Sequence, residues 1–217
     1  MTVLRIMAGG PERDIPLHDL NVKGRWIGVD RGVAVLEKLG IVPEAVFGDF
    51  DSPEGLAALK KLKNAKEKHI FQSEKNDTDL ALCLRWSLEQ DPAKIEIYGA
   101  TGGRADHFLG NLALLEMAAT YNVPVVIKDK FNEISLLKPG EWVVPKRSDD
   151  EYLSFVAITK TVERLDLEGV AYPLFQYVLH RDSTRCISNE IIEREAIVRF
   201  TSGLLLMIRS RDKELKV

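Results

Sequence analysis

Two fold classes follow one another along this chain. An α/β unit with a mainly parallel sheet and flanking helices is predicted over residues 1–129, and an all-β sandwich over residues 130–217. Three observations predict this. Short apolar runs alternate with helix-period segments through the first half, the pattern of a parallel sheet wound with helices. A glycine-rich strand–loop–helix unit, IEIYGATGGRADHFLGNLALL (Ile95 to Leu115), lies at its centre. Beyond Lys130 the helical period stops, and β-branched runs punctuated by turn residues take over.

In order, Val3 to Ala8 reads as a buried strand ending in Gly9-Gly10-Pro11, and Trp26 to Val29 as a second, stopping at Asp30-Arg31-Gly32. Gly32 to Leu39 is helical, and Gly40 ends it. Ala45 to Phe47 is a third strand that runs into GDFDS, Gly48 to Ser52. Pro53 suits the first turn of a helix through about Lys63, with Ser52 as cap. His69 to Gln72 is a fourth strand, and Asp77 to Glu89 a helix with Leu80, Leu84 and Leu88 on one stripe. The central unit and a strand in PVVIKDK complete the half. Six runs then predict strands: EISLL, EWVVP, YLSFVAI, VERLDLEG, EAIVRF and GLLLMIRS.

Composition narrows the function classes. The chain has 217 residues and a net charge of −3 with no basic stripe, which argues against a nucleic-acid partner. Two cysteines, Cys83 and Cys186, are too few and too far apart for a disulfide scaffold or a zinc cluster, so a reducing cytoplasm is expected. No apolar run is long enough for a membrane span, and the N-terminal run is too short for a signal peptide.

Ligands of wound sheets bind beyond the carboxyl ends of the strands. Asp30, Asp49, Asp51, the Asp77 region and Gly99 to Arg104 all follow such ends. Gly99, Gly102 and Gly103 let the backbone turn and approach a ligand, and the following helix offers unpaired N–H groups to phosphate. Arg104 at the helix mouth can grip phosphate oxygens with two parallel hydrogen bonds. Asp106 and His107 follow at once. If the backbone is extended through Phe50, Asp49 and Asp51 point to one side, and hard oxygen ligands on a strand end suit Mg²⁺. The alternative is a pair of turn and capping aspartates. Lys75-Asn76-Asp77-Thr78-Asp79 has the same two readings: helix capping, or Asp79 and Asp77 on metal with Lys75 and Thr78 on a nucleotide. Neither GxxxxGK[ST] nor the protein-kinase motif set is present.

Taken in order, VDRG (Val29 to Gly32), GDFDS, EKNDTDL (Glu74 to Leu80), GATGGRADHFLGN (Gly99 to Asn111), LEGVAYPL (Leu167 to Leu174), ISNE (Ile187 to Glu190) and the glycine-led final strand resemble the thiamine pyrophosphokinase family over nearly the full length. The resemblance implies transfer of the pyrophosphoryl group of ATP to the hydroxyl of thiamine, giving thiamine diphosphate and AMP, by a homodimer. It implies Mg²⁺ on Asp49, Asp51 and Asp79, with Asp77 a further candidate. Lys75, Thr78, Gly102, Gly103, Arg104, Asp106 and His107 would serve ATP, with Arg104 and the three aspartates catalytic. Asp30, Ser188 and Asn189 would serve thiamine. The chain departs from the family pattern at Asn76, where an acid is usual, and at Arg31, where glycine is more common. Two other functions would use the same rim: a Mg-dependent phosphohydrolase with water as acceptor, and a non-catalytic nucleotide or thiamine sensor.

Overall fold

A computed structural model of the chain describes residues 2–17, 20, 23–50, 57, the backbone of 67–70, and 76–212. The chain divides into two compact units, Met1–Lys130 and Phe131–Val217. In the first, the apolar runs become β1 (Val3–Met7), β2 (Arg25–Val29), β3 (Ala45–Gly48), β4 (Glu67–Ile70), β5 (Lys94–Tyr98) and β6 (Val125–Lys128). All of their pairings are parallel, in the order β6-β5-β1-β2-β3-β4. The connecting helices are α1 (Gly32–Lys38), α2 (Asp79–Glu89) and α3 (Ala105–Ala118).

Registered partners in a parallel sheet share a face, so the sequence sorts itself into two layers. One face carries Leu4, Ile6, Ile27, Phe47, Ile95 and Ile97, all buried. The rings of Phe47 and Trp86 of α2 meet there at 5.7 Å. The other face carries Met7, Trp26 and Tyr98, which pack with Val35 and Leu36 of α1. Further along that face the apolar layer gives way to charge. Glu96 of β5, 8% exposed, accepts from Arg5 Nε (3.2 Å), Lys94 Nζ (3.2 Å), Lys128 Nζ (2.9 Å) and the Tyr98 hydroxyl (3.2 Å). Burial works to raise its carboxyl, but the Lys128 and Lys94 ammonium groups outweigh it and hold it at about 2.

The second unit is a sandwich of two antiparallel sheets. One contains β7 (Asn132–Leu137), β14 (Leu205–Ser210), β9 (Tyr152–Ala157) and β12 (Asn189–Glu190). The other is β11 (Leu174–His180), β10 (Thr161–Glu168), β13 (Glu195–Phe200) and β8 (Gly140–Pro145). Phe155 and Leu205 from the first meet Val162, Leu165, Leu179 and Val198 from the second in one core.

Four expectations need correction or limits. The helix α2 begins at Asp79, two residues after the expected start, because Thr78 is extended (φ −70°, ψ 156°) and caps it, accepting from Ala81 N–H at 3.2 Å. The strand expected over His69 to Gln72 is Glu67–Ile70 within the described residues. The helix expected from Pro53 lies outside them, apart from Ala57. Strands β11 and β12 carry no period-2 pattern. The pairing of β11 with β10 shifts register twice and Gln176 has φ 45°, so its side chains do not alternate in and out.

Candidate functional site

The strand order reverses direction beside β1: the chain runs β1 to β4 one way, then crosses back to lay β5 and β6 on the other side. A crevice at such a switch point, beyond the carboxyl ends, is where wound sheets bind ligands. Gly9-Gly10 after β1 and Gly99–Gly103 after β5 meet there. Ala8 N–H donates to Tyr98 O (2.8 Å) and Gly10 N–H to Gly99 O (2.7 Å). A Cβ on Gly10 would overlap the Gly99 carbonyl, so this approach requires glycine. Gly102 has φ 74°, and a Cβ there would overlap the Asp14 carboxylate. Gly102 and Gly103 are exposed on the rim.

At the α3 mouth Arg104 is extended (φ −63°, ψ 136°) and exposed. Its fork binds Asp106 through Nε–Oδ1 (3.1 Å) and Nη2–Oδ2 (2.5 Å), and Asp106 Oδ1 also accepts from His107 N–H at 2.9 Å. The Arg104 guanidinium first, then the His107 N–H, hold the Asp106 carboxyl at about 2. A planar anion thus already sits on the guanidinium fork and a first-turn N–H, the donors suited to a phosphate oxygen.

Acidic residues follow the ends of β2 and β3 and open α2. Asp30 (φ 50°) follows β2, its N–H donating to Phe47 O at 2.9 Å, and its carboxylate lies against Gly48 of β3. Half-buried Asp49 follows Gly48. Half-buried Asp79 opens α2. Burial pushes the Cys83 thiol up, the Ser87 hydroxyl opposes it, and the Asp30 and Asp79 carboxylates add to the rise. The backbone is not extended at Phe50, which takes φ 50° and buries its ring with Val33 and Val46. The extended backbone expected through Phe50 is therefore absent, because an apolar anchor turns the chain there. Asp51 and Lys75 lie outside the described residues. Asp77 is exposed and paired with Arg85 of α2 at 3.2 Å. Among the described residues no three acidic, histidine or cysteine side chains form a metal cluster. Of the residues expected to hold Mg²⁺, Asp49 and Asp79 are described, and both offer only oxygen, the donor that suits Mg²⁺ rather than a softer ion. Arg31 is exposed.

Ser188 and Asn189 belong to the second unit. Ser188 is exposed with φ 56°, its N–H donating to the buried Ser154 Oγ at 2.9 Å. Asn189 is 2% exposed, and its amide pairs with a backbone. Its Oδ1 accepts from Tyr172 N–H (3.0 Å) and Glu190 N–H (2.9 Å), and its Nδ2 donates to Tyr172 O (3.0 Å). Asn189 lines a cleft of about 310 Å³ together with Tyr172, Pro173, Arg185 and Cys186, and Ser188 is its chain neighbour.

The structure adds residues that sequence reading passed over. Thr101 is 8% exposed and donates to Asp129 Oδ2 at 2.6 Å, and Asn111 Nδ2 donates to Ala100 O at 2.8 Å. Asn111 stood inside a quoted motif; Asp129 carried no sequence signal beyond its position after a strand.

Two family models match the chain: the catalytic domain of thiamin pyrophosphokinase over residues 19–127 and the vitamin B1 binding domain of thiamin pyrophosphokinase over residues 142–205. The chain is 42% identical over 216 residues to a thiamine pyrophosphokinase of Bacillus subtilis, covering 98% of this chain and 100% of that one. A crystal structure of the Bacillus subtilis thiamine pyrophosphokinase aligns with a TM-score of 0.90 at 40% identity, over 97% of this chain and 100% of the other. One from Geobacillus thermodenitrificans aligns at 0.86 and 36% identity, over 98% and 99%. The solved structures thus share both the wound first unit and the sandwich, and the chain belongs to the thiamine pyrophosphokinase family.

Proposed function

We propose that this chain is an enzyme that moves the pyrophosphoryl group of ATP to the hydroxyl of thiamine, giving thiamine diphosphate and AMP. The observation that carries the reading is the full-length likeness to a thiamine pyrophosphokinase, taken with the exposed glycine loop and Arg104 beyond the end of β5. The thiamine oxygen attacks the β-phosphorus, the bond to the bridging oxygen breaks, AMP leaves with the electron pair, and the hydroxyl proton is released. The loop of Gly102 and Gly103 offers backbone N–H groups to the phosphate oxygens. Arg104 holds the transferred group by its fork, trading one anion for another as phosphate replaces the Asp106 carboxylate. Thr78, Lys75 and His107 line the nucleotide.

Asp49, Asp51 and Asp79 would hold Mg²⁺, and Asp77, already paired with Arg85, is the weaker candidate. What the metal supplies when bound is neutral charge on the phosphate oxygens. The Ser188 hydroxyl, the remaining Nδ2 hydrogen of Asn189, and Asp30 serve thiamine. The first unit is thus the nucleotide-binding catalytic domain and the second the thiamine-binding domain. The enzyme works as a homodimer in the cytoplasm. No helix among the described residues is long and apolar enough to cross a membrane.

Chromatographic product analysis tests the reading. Protein with Mg²⁺, ATP and thiamine should yield thiamine diphosphate and AMP in equal amounts, and Asp79→Ala should nearly abolish both while leaving the melting temperature close to wild type. Phosphate released from ATP without thiamine would mark a hydrolase instead, and saturable binding without turnover a sensor.

A further inference from the structure

The end of β5 and the loop that follows it are tied down at four consecutive residues. The Tyr98 carbonyl accepts from Ala8 N–H and the Gly99 carbonyl from Gly10 N–H, which joins the loop to the end of β1. The Ala100 carbonyl accepts from Asn111 Nδ2, about two turns into α3. The Thr101 hydroxyl donates to the Asp129 carboxylate beyond β6, at 2.6 Å. Ala100 and Thr101 are 4% and 8% exposed and their partners Asn111 and Asp129 half-buried, so these two bonds are partly shielded from water. Only then does the chain surface, at Gly102, Gly103 and Arg104.

The direction of the bonds matters. Carbonyls and the one hydroxyl point into the protein and are satisfied there. A loop whose acceptors are consumed beneath it turns its remaining backbone donors outward, toward an anion. The first two ties are backbone bonds that any sequence with glycine at positions 10 and 99 can make. The last two depend on particular side chains, and neither Asn111 nor Asp129 is among the residues assigned to ligands above. Asp129 is also at a junction: the next residue, Lys130, donates its N–H to Asp14 O at 2.9 Å, and Asp14 packs its carboxylate against Gly102. The end of β6 therefore braces the loop from two sides.

We propose that Asp129, acting through Thr101, and Asn111, acting through Ala100, are positioning residues that fix the phosphate-receiving shape of the 99–103 loop. This rests on the reading of that loop as the ATP phosphate site. A preorganised donor loop costs nothing to reorder when ligand arrives, whereas a loosened one is ordered at the expense of binding. Loosening should therefore raise the KM for ATP and leave that for thiamine unchanged.

The experiment is steady-state kinetics with Mg-ATP and thiamine on wild type, Asp129→Ala, Asp129→Asn, Thr101→Val and Asn111→Ala, with melting curves for each. Wild type must first form thiamine diphosphate and AMP; if it does not, the functional reading has failed and not the positioning role. With that in hand, Asp129→Ala and Thr101→Val should each raise the KM for ATP by about tenfold, with the KM for thiamine within about twofold of wild type. Because they break the same bond, the double variant should be no worse than either single one. Asp129→Asn, which keeps an acceptor for the Thr101 hydroxyl, should recover most of the loss. Asn111→Ala should raise the KM for ATP in the same way. The proposal is overturned if the KM for ATP is unchanged, if both KM values rise together in step with a fall in melting temperature, or if Asp129→Asn is as impaired as Asp129→Ala.

Discussion

At the scale of single residues, Arg104 shows how much the geometry of one group decides. It is exposed and always charged, and its planar fork already binds Asp106 through two nitrogens. A lysine would keep the charge and lose the second hydrogen bond and the fixed orientation. Arg104→Lys should lower kcat/KM for ATP by about 10- to 100-fold, a loss of about 1.4–2.8 kcal/mol in transition-state binding, without moving the melting temperature. Steady-state kinetics beside a melting curve checks both. Asn189 shows the reverse case. The sequence offers it as a ligand contact, yet its oxygen is filled by two backbone N–H groups. Its larger role is to hold Tyr172 at the wall of the cleft. Nothing in ISNE distinguishes an amide that binds a ligand from one that binds its own chain; only burial does.

At the scale of elements, the helix starts repay attention. Thr78 caps α2, and Asp79 follows in the first turn, where a carboxylate meets the positive end of the dipole. Thr78→Ala should destabilise the protein by about 1 kcal/mol in chemical denaturation, while Thr78→Ser, which keeps the oxygen, should stay near wild type. Much of the element pattern was legible in the sequence. β1, β2, β3, β5, α1 and α3 were visible because apolar runs and helix periods do not depend on the rest of the chain. What was not legible depended on tertiary context. The turn at Phe50 requires Val33 and Val46 beneath it, and β11 is a strand only because β10 pairs with it through two register shifts. The site followed the same division. Its glycines and Arg104 could be read directly, whereas Asp129 acquires meaning only when β6 is laid beside β5.

At the scale of the whole molecule, the charged cluster on β5 sets how the protein meets acid. The Glu96 carboxyl is held at about 2 against an ordinary 4.5, so the folded state binds its proton less readily than the unfolded chain. Its contribution, roughly 3 kcal/mol, is fully present above about pH 4.5 and is lost as pH falls from there toward 2. Glu96→Gln should be markedly less stable than wild type at pH 7, since it leaves Arg5, Lys94 and Lys128 without their carboxylate. The two should converge as pH approaches 2, a trend that denaturant midpoints measured across that range would display.

The two thiols have a consequence of their own. Cys83 lies fully buried in the first unit and Cys186 nearly so in the second; burial pushes both thiols up, Cys186 to about 11 with Arg185 opposing. Cys83 is not a nucleophile while the first unit stays closed, since reagent reaches only an exposed thiolate, whereas Cys186 borders the cleft of the second unit. Cys83 is therefore a native clock for the opening of its own half, and the rate at which an alkylating reagent labels it, followed by mass spectrometry, reports how often that half breathes with no engineered probe.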